Sequence, residues 1–516
     1  MKTYKLILTL ILVTAFFTGC DDYLDEAPSK SNGVLPSSIQ DLEGLLNERA
    51  TFQLERANEI ATASDDFELN SDYFDANNTE ITIGNIHEAT WSTENTNTSL
   101  TLGWTGEWSK IFTANLVLEA LDIVEGTDEE KANIKAEAHF IRAYSYFLLA
   151  TTYCLALKGN ETEMGLPIKT VTSFEESLKR ATLQETYDFM TADIEEALKI
   201  TRKLDYKNGL KRIWRASTAS VNAFAARYYL AIHDYEKAEK YAQEALDEDN
   251  TLRNLNTDLT LISQTVTIES DGDPSTTETA EIINAKLDNT TSKPDILVWG
   301  EFYYERTLLN SSGELYPSDD LLNTYDQVND LRFEYYMVEN HSYIRGTDGI
   351  NNPLFSQTGY SSPIAGNSNR AVSGPSVAEM YLIVAECQVR NGDFNTGLEN
   401  ANVLRRTRMR NTASTSDIEL SASSQEEALT QILEERRREL PFVLRWYDVK
   451  RYNSNDDPSD DVDALVRSFY PYSASAVDQS APLQTYELLK GSRKYAHPIP
   501  QDDIIASAGV LLQNTY

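Results

Sequence analysis

The stretch "STASVNAFAARYYLAIHDYEKAEKYAQEAL", residues 217–246, constrains the fold more than any other part of the chain. Ala226, Tyr229, Ala238, Ala242 and Ala245 recur at helical spacing on either side of "HDY". Small residues in that pattern let two antiparallel helices approach closely, as in a tetratricopeptide unit with a period of about 34 residues. One such unit cannot bury its apolar faces alone, so the pattern calls for a stack of helix pairs.

Other segments repeat the form. "PSVAEMYLIVAECQVRNGDFNTGLENANVLRRTR", residues 375–408, has a Ser376–Glu379 capping box and an "NGDF" turn. Residues 105–123 and 127–155 make another pair, the second helix opened by Thr127 and Glu130. That helix carries Ile134, Ala138, Ile141, Ser145 and Leu148 on one face and Phe140, Tyr144 and Phe147 on another. A helix apolar on two faces is sandwiched between neighbours. Residues 181–201 add a weaker helix, and a Ser424–Glu427 box starts one that runs to about Leu440. Residues 247–371 differ, with short β-branched or aromatic runs and the Gly/Ser/Asn-rich "GINNPLFSQTGYSSPIAGNSNR". Residues 453–497 read as irregular. The expected fold is mostly α: a tetratricopeptide-like helical-repeat body with a loop-rich, partly β second lobe. Its divisions are an N-terminal region 37–246, an insertion lobe 247–371 and a C-terminal region 372–516 that completes the body.

The N-terminus is read apart from the fold. "MKTYK" is followed by the apolar run "LILTLILVTAFF", residues 6–17, shorter than the ~20 residues that span a bilayer. Thr18-Gly19-Cys20 then fits a lipoprotein signal, so residues 1–19 are expected to be a signal peptide and 20–36 a tether lipidated at Cys20. No later apolar run is long enough to span, which leaves the lipid as anchor. The net charge of −36 argues against nucleic acid and anionic lipid as electrostatic partners.

Chemistry-bearing patterns are sparse. The five histidines, His87, His139, His233, His341 and His497, are scattered, with His139 read as a satisfied interior group. No HExxH, CxxC, GxSxG or phosphate-binding glycine loop occurs. The 81 acidic residues are too many for any pair to stand out, and the acidic loops "NSNDDPSDDVD" and "ESDGDPS" do not match the twelve-residue calcium loop. Catalysis, cofactor and metal are therefore not expected. Cys154 and Cys387 sit in helical patterns and read as buried thiols. The cations of "ERRRELPFVLRWYDVKR" are expected to pair with internal acids.

Several stretches, in order, resemble the SusD/RagB family of surface lipoproteins of Bacteroidetes-type bacteria. They are "CDDYLDEAPS", "WSKIFTANLVLEAL" at 108–121, "IKAEAHFIRAYSYFLLATTY" at 134–153 with "GLPI" after it, "ERRRELPFVLRWYDVKRYN" at 435–453, and the ending "YAHPIPQDDIIASAGVLLQNTY". Phe442-Val443-Leu444 stands where many members have Phe-Glu-Gly-His, which suggests a subgroup apart from the starch-binding prototype. The resemblance implies a non-enzymatic protein on the outer face of the outer membrane. It implies capture of glycan for a partner TonB-dependent (SusC-like) transporter, with peptide as the ligand in some members and an extracellular hydrolase the weakest alternative. Asp21, Asp22, Asp25 and Glu26 after Cys20 resemble the family's signal for surface export.

A glycan site needs flat aromatic faces to stack on sugar C–H surfaces and a few fixed polar groups for hydroxyls. The resemblance implies sugar sites on loops in the region of residues 64–91. The candidates there are Tyr73, Phe74 and Trp91, with Asp72 and Asn77 as polar partners. Tyr343, Phe355 and Tyr360 are added from the second lobe, whereas Trp299 lies in an apolar run and is assigned to the core.

Overall fold

The structure, a computed structural model, describes residues 36–55, 58–76, 81–94, 100–173, 175–207, 210–269, 277–287, 300–309, 315–339, 358–360 and 370–516. Cys20 and the signal and tether segments, and Asn77, Trp299, Tyr343 and Phe355, lie outside the described residues.

Local signals set the helix starts. The Thr127 hydroxyl accepts from the Glu130 N–H at 3.2 Å, while the Glu130 carboxylate accepts from the Thr127 N–H at 2.9 Å, opening the helix Asp128–Tyr153. Ser376 caps Val377–Arg390, accepting from the Glu379 N–H at 3.1 Å, and Ser424 caps Gln425–Glu439 in the same way. Each cap satisfies N–H groups that a helix start otherwise leaves orphaned.

The helices stack as the spacing predicts. Thr218–Ala231 and Tyr235–Glu248 form the pair read at 217–246, with Ala226, Ala238, Ala242 and Ala245 fully buried at its seam. Tyr235–Glu248 then packs on Val377–Arg390, so two pairs are neighbours in space although residues 249–376 lie between them in sequence. Val377–Arg390 pairs with Phe394–Arg408, and Gln425–Glu439 covers both. Gly397 sits at that seam, where a Cβ would meet the Ala385 carbonyl and a Val389 methyl at 2.7 Å. On the other side, Leu100–Ala120 and Leu183–Ala197 flank Asp128–Tyr153, which buries both of its aromatic and aliphatic faces.

Sheet is minor. Among the described residues it consists of separate two-stranded ladders. In the second lobe, Leu259–Glu269 pairs antiparallel with Thr277–Leu287 over eleven residues. The expectation that 453–497 is irregular needs correction: Ala464–Phe469 and Gln484–Leu489 form an antiparallel hairpin. Leu465, Arg467 and Phe469 point inward along it while Val466 and Ser468 are exposed, the two-residue alternation of a half-buried strand.

The 435–453 stretch holds this body together. Arg436 binds Asp448, Arg437 binds Asp66, and Arg445 grips Asp65 with two bonds of 2.7 Å. Arg451 does the same to Glu386 at 2.6 and 2.7 Å, and Lys450 donates to the Thr151 and Cys154 carbonyls. Phe442, at the family departure, is fully buried with φ +65°, and its N–H donates to Asp66. Cys154 and Cys387 are buried and free. His139 is bonded to Asp193 at 2.7 Å. Among the described residues no helix is long and apolar enough to cross a membrane.

Candidate functional site

Helix Ser71–Ala76 and the turn after helix Ile83–Ala89 meet the 464–489 segment at one surface, but the aromatic side chains expected there do not face it. Helix Ser71–Ala76 turns Tyr73 and Phe74 inward. The Tyr73 hydroxyl accepts from Tyr316 at 2.9 Å, and the two rings meet edge-on with centroids 5.0 Å apart. Phe74 packs edge-on to Phe469 at 5.3 Å. Trp91 ends the turn after helix Ile83–Ala89 with φ +54°, pinned by its Nε1–H donating to the Ala63 carbonyl at 2.9 Å and by the Arg467 guanidinium under its ring. Tyr360 lies between Tyr336 and Phe442, at 6.3 and 5.2 Å. Tyr73, Phe74 and Trp91 are therefore corrected to core residues, their rings taken up by packing, while Tyr360 is half-buried. Asp72, from the same helix, is exposed.

The side chains that face solvent come from the hairpin. Three half-buried tyrosines, Tyr470, Tyr472 and Tyr486, form a connected group. Tyr472 and Tyr486 rings lie 5.5 Å apart at 30°, and Tyr472 meets His87 edge-on at 4.8 Å. The Tyr472 hydroxyl is hydrogen-bonded to the Thr90 hydroxyl. Tyr486 donates to the Tyr470 carbonyl at 2.9 Å and accepts from the Gln484 amide. Tyr470 donates to Asp75 at 2.7 Å, and the other Asp75 oxygen accepts from Gln479 at 2.8 Å. Asp75 thereby couples helix Ser71–Ala76 to the hairpin. Pro471 between two tyrosines keeps the connection extended rather than helical. Tyr472 bridges back to Val477, and the Asp478 N–H donates to the Pro471 carbonyl at 2.8 Å.

The electrostatics keep all three phenols protonated. The bond to Asp75 pushes the Tyr470 phenol up, and burial does the same to Tyr472 and Tyr486. The group thus offers uncharged aromatic faces, hydroxyls, two amides and a carboxylate, and no redox or nucleophilic centre. Among the described residues no cluster of His, Cys, Asp or Glu could hold a metal ion. A cavity of about 20 Å³ beside Trp91, lined also by Glu94 and Lys494, has room for little more than water. A wider cleft of about 570 Å³ lies between helix pairs, but its walls are ion-paired, Lys158 with Asp456 and Arg390 with Asp457.

These hairpin tyrosines escaped the sequence reading because they lie in the stretch taken as irregular. The alternation in "ALVRSF" ahead of "YPY" was the available signal.

Comparison with known proteins places the fold. A family model described as starch-binding associating with outer membrane matches residues 22–230, and one described as the SusD family matches residues 334–516. SusD-like protein P2 of Formosa agariphila is 23% identical over 390 residues, covering 67% of this chain and 70% of that protein. A SusD-like carbohydrate binding protein from Bacteroides vulgatus superposes with a TM-score of 0.62 at 18% identity, over 92% of this chain and 97% of that one. Surface glycan-binding protein A from Bacteroides uniformis gives a TM-score of 0.58 at 16% identity, over 92% and 98%. The two family matches bracket the helical body in the order its segments occur, and the chain belongs to the SusD/RagB family of outer-membrane-associated binding proteins.

Proposed function

We propose that this protein is a cell-surface lipoprotein, anchored through Cys20, that captures oligo- or polysaccharide without cleaving it and passes it to a TonB-dependent transporter. The observation that carries the reading is the Tyr470–Tyr472–Tyr486 group. It combines aromatic faces for sugar C–H surfaces with hydroxyl, amide and carboxylate groups for sugar hydroxyls, at half-buried positions a ligand can reach. Gln479, Gln484, Asp75 and exposed Asp72 form its polar rim. Asn77, close to this rim in sequence, and Tyr343 and Phe355 of the second lobe complete the set of proposed contacts. The family match and the glycan-binding relatives support the same reading.

Affinity electrophoresis of the mature protein through gels containing a polysaccharide panel, beside titration with a peptide panel, tests it. Retardation by a polysaccharide, with no reducing ends released, is expected. Binding confined to peptides, or release of reducing ends, overturns it. Co-purification of the full-length lipoprotein with a barrel transporter from its native membrane tests the delivery step, and loss of membrane retention in Cys20→Ala tests the anchor.

A further inference from the structure

The charges around the tyrosine group are one-sided. Asp75, exposed at the rim, accepts from Tyr470 and Gln479 through its two oxygens. Asp72 is exposed one turn away on the same helix, close enough to act on the Tyr470 hydroxyl, and exposed Glu94 acts on Tyr472. The two segments that build the surface add no compensating cation. There is no Lys or Arg between Arg56 and Lys110, nor between Arg467 and Lys490. Arg467 itself is buried beneath Trp91 and donates to the Ser64 carbonyl. Lys494 lines the small cavity together with Glu94, whose charge opposes it.

Carboxylates accept hydrogen bonds and donate none, so such a rim suits a ligand rich in hydroxyl donors. It repels a ligand that brings its own anions, and at physiological salt the repulsion acts over about 8 Å, so only charges brought close to the rim feel it. We propose that this surface is selective for neutral, hydroxyl-rich glycans and rejects glycans bearing carboxylate or sulfate groups, with Asp72 and Asp75 as the residues that set the discrimination. The proposal rests on the glycan reading of the site.

The test pairs each neutral polysaccharide of the panel with its own carboxymethylated or sulfated derivative and measures both affinities at low and high salt. The neutral polymer is expected to bind at either salt. The anionic derivative is expected to bind about tenfold more weakly at low salt, the size that like charges several ångströms apart at a protein surface produce. High salt narrows the gap, and Asp72→Asn narrows it at low salt; the ratio of the two affinities is the readout. Equal or tighter binding of the derivatives at low salt overturns the charge selectivity and leaves the glycan reading standing. Retention of no polysaccharide, charged or neutral, overturns both.

Discussion

Two regions of this acidic chain handle their carboxylates in opposite ways. Along 435–453 each buried acid is met by a cation: Glu386 by Arg451, Asp448 by Arg436, Asp65 by Arg445. Glu435, wholly buried, is shared by Arg332, Arg405 and Arg438. Around the hairpin tyrosines, Asp75 accepts from a tyrosine hydroxyl and a glutamine amide, and Asp72 and Glu94 are exposed. The chain has 45 cations for 81 acids. Those drawn into the interior offset the cost of buried charge, and the tyrosine surface is one place where the surplus of acids remains. Interior charge here specifies structure; rim charge is left facing solvent.

That contrast predicts a graded set of effects. Glu435→Ala leaves three arginines short of a buried partner, and a loss of about 3–5 kcal/mol in urea unfolding is expected; a loss under about 1 kcal/mol would break the distinction. Glu59 is the exception that sharpens it. It is buried with the Tyr153 hydroxyl, 3.0 Å away, as its hydrogen-bond donor, and burial pushes its carboxyl up to about 7. A folded pKa above the unfolded one means the folded state holds the proton more tightly. The destabilisation is thus absent below about pH 4.5 and grows as pH rises through 7. Glu59→Gln should add about 2–3 kcal/mol at pH 8 and almost nothing at pH 4, read from unfolding curves at the two pH values. For the carboxyls of Asp65, Glu386 and Glu435 the sign is reversed: neighbouring arginines hold them well below the usual range, so their contribution is present above about pH 4 and fades in acid.

At the rim the effects move to binding. Tyr472→Ala should weaken polysaccharide binding by about 1–2 kcal/mol, roughly tenfold, while the protein still unfolds as one cooperative unit; unchanged retardation in the gel would dismiss the tyrosine group as the site. The smallest effect belongs to a surface ion pair. Arg406 reaches Glu399 and Glu419 from a position 42% exposed, and Arg406→Ala should cost no more than about 0.5 kcal/mol by the same unfolding assay.

The helical body was legible because its signals are local. The capping box at Thr127, the serine N-caps at 376 and 424 and small residues at 226, 238, 242 and 245 act within a few residues of themselves. The site was legible only as a neighbourhood. Residues 72–91 do border it, but what turns Tyr73 and Phe74 inward are Tyr316 and Phe469, far along the chain. No local pattern announces such partners. The hairpin that presents Tyr470, Tyr472 and Tyr486 is likewise defined by pairing between 464–469 and 484–489, and six-residue strands beside a proline leave a faint trace in sequence.

The joint between Tyr235–Glu248 and Val377–Arg390 bears on how the molecule comes into being. Its two halves leave the ribosome more than a hundred residues apart, so the alanine-lined pair stays unfinished until the second lobe has been made. Acquisition of structure is then governed by a long-range closure and is slower than in bundles whose helices meet only their sequence neighbours. The lobe can also be lengthened at modest entropic cost, since closure entropy grows only logarithmically with the span. A lineage could therefore vary what hangs from the joint while the joint itself stays as it is.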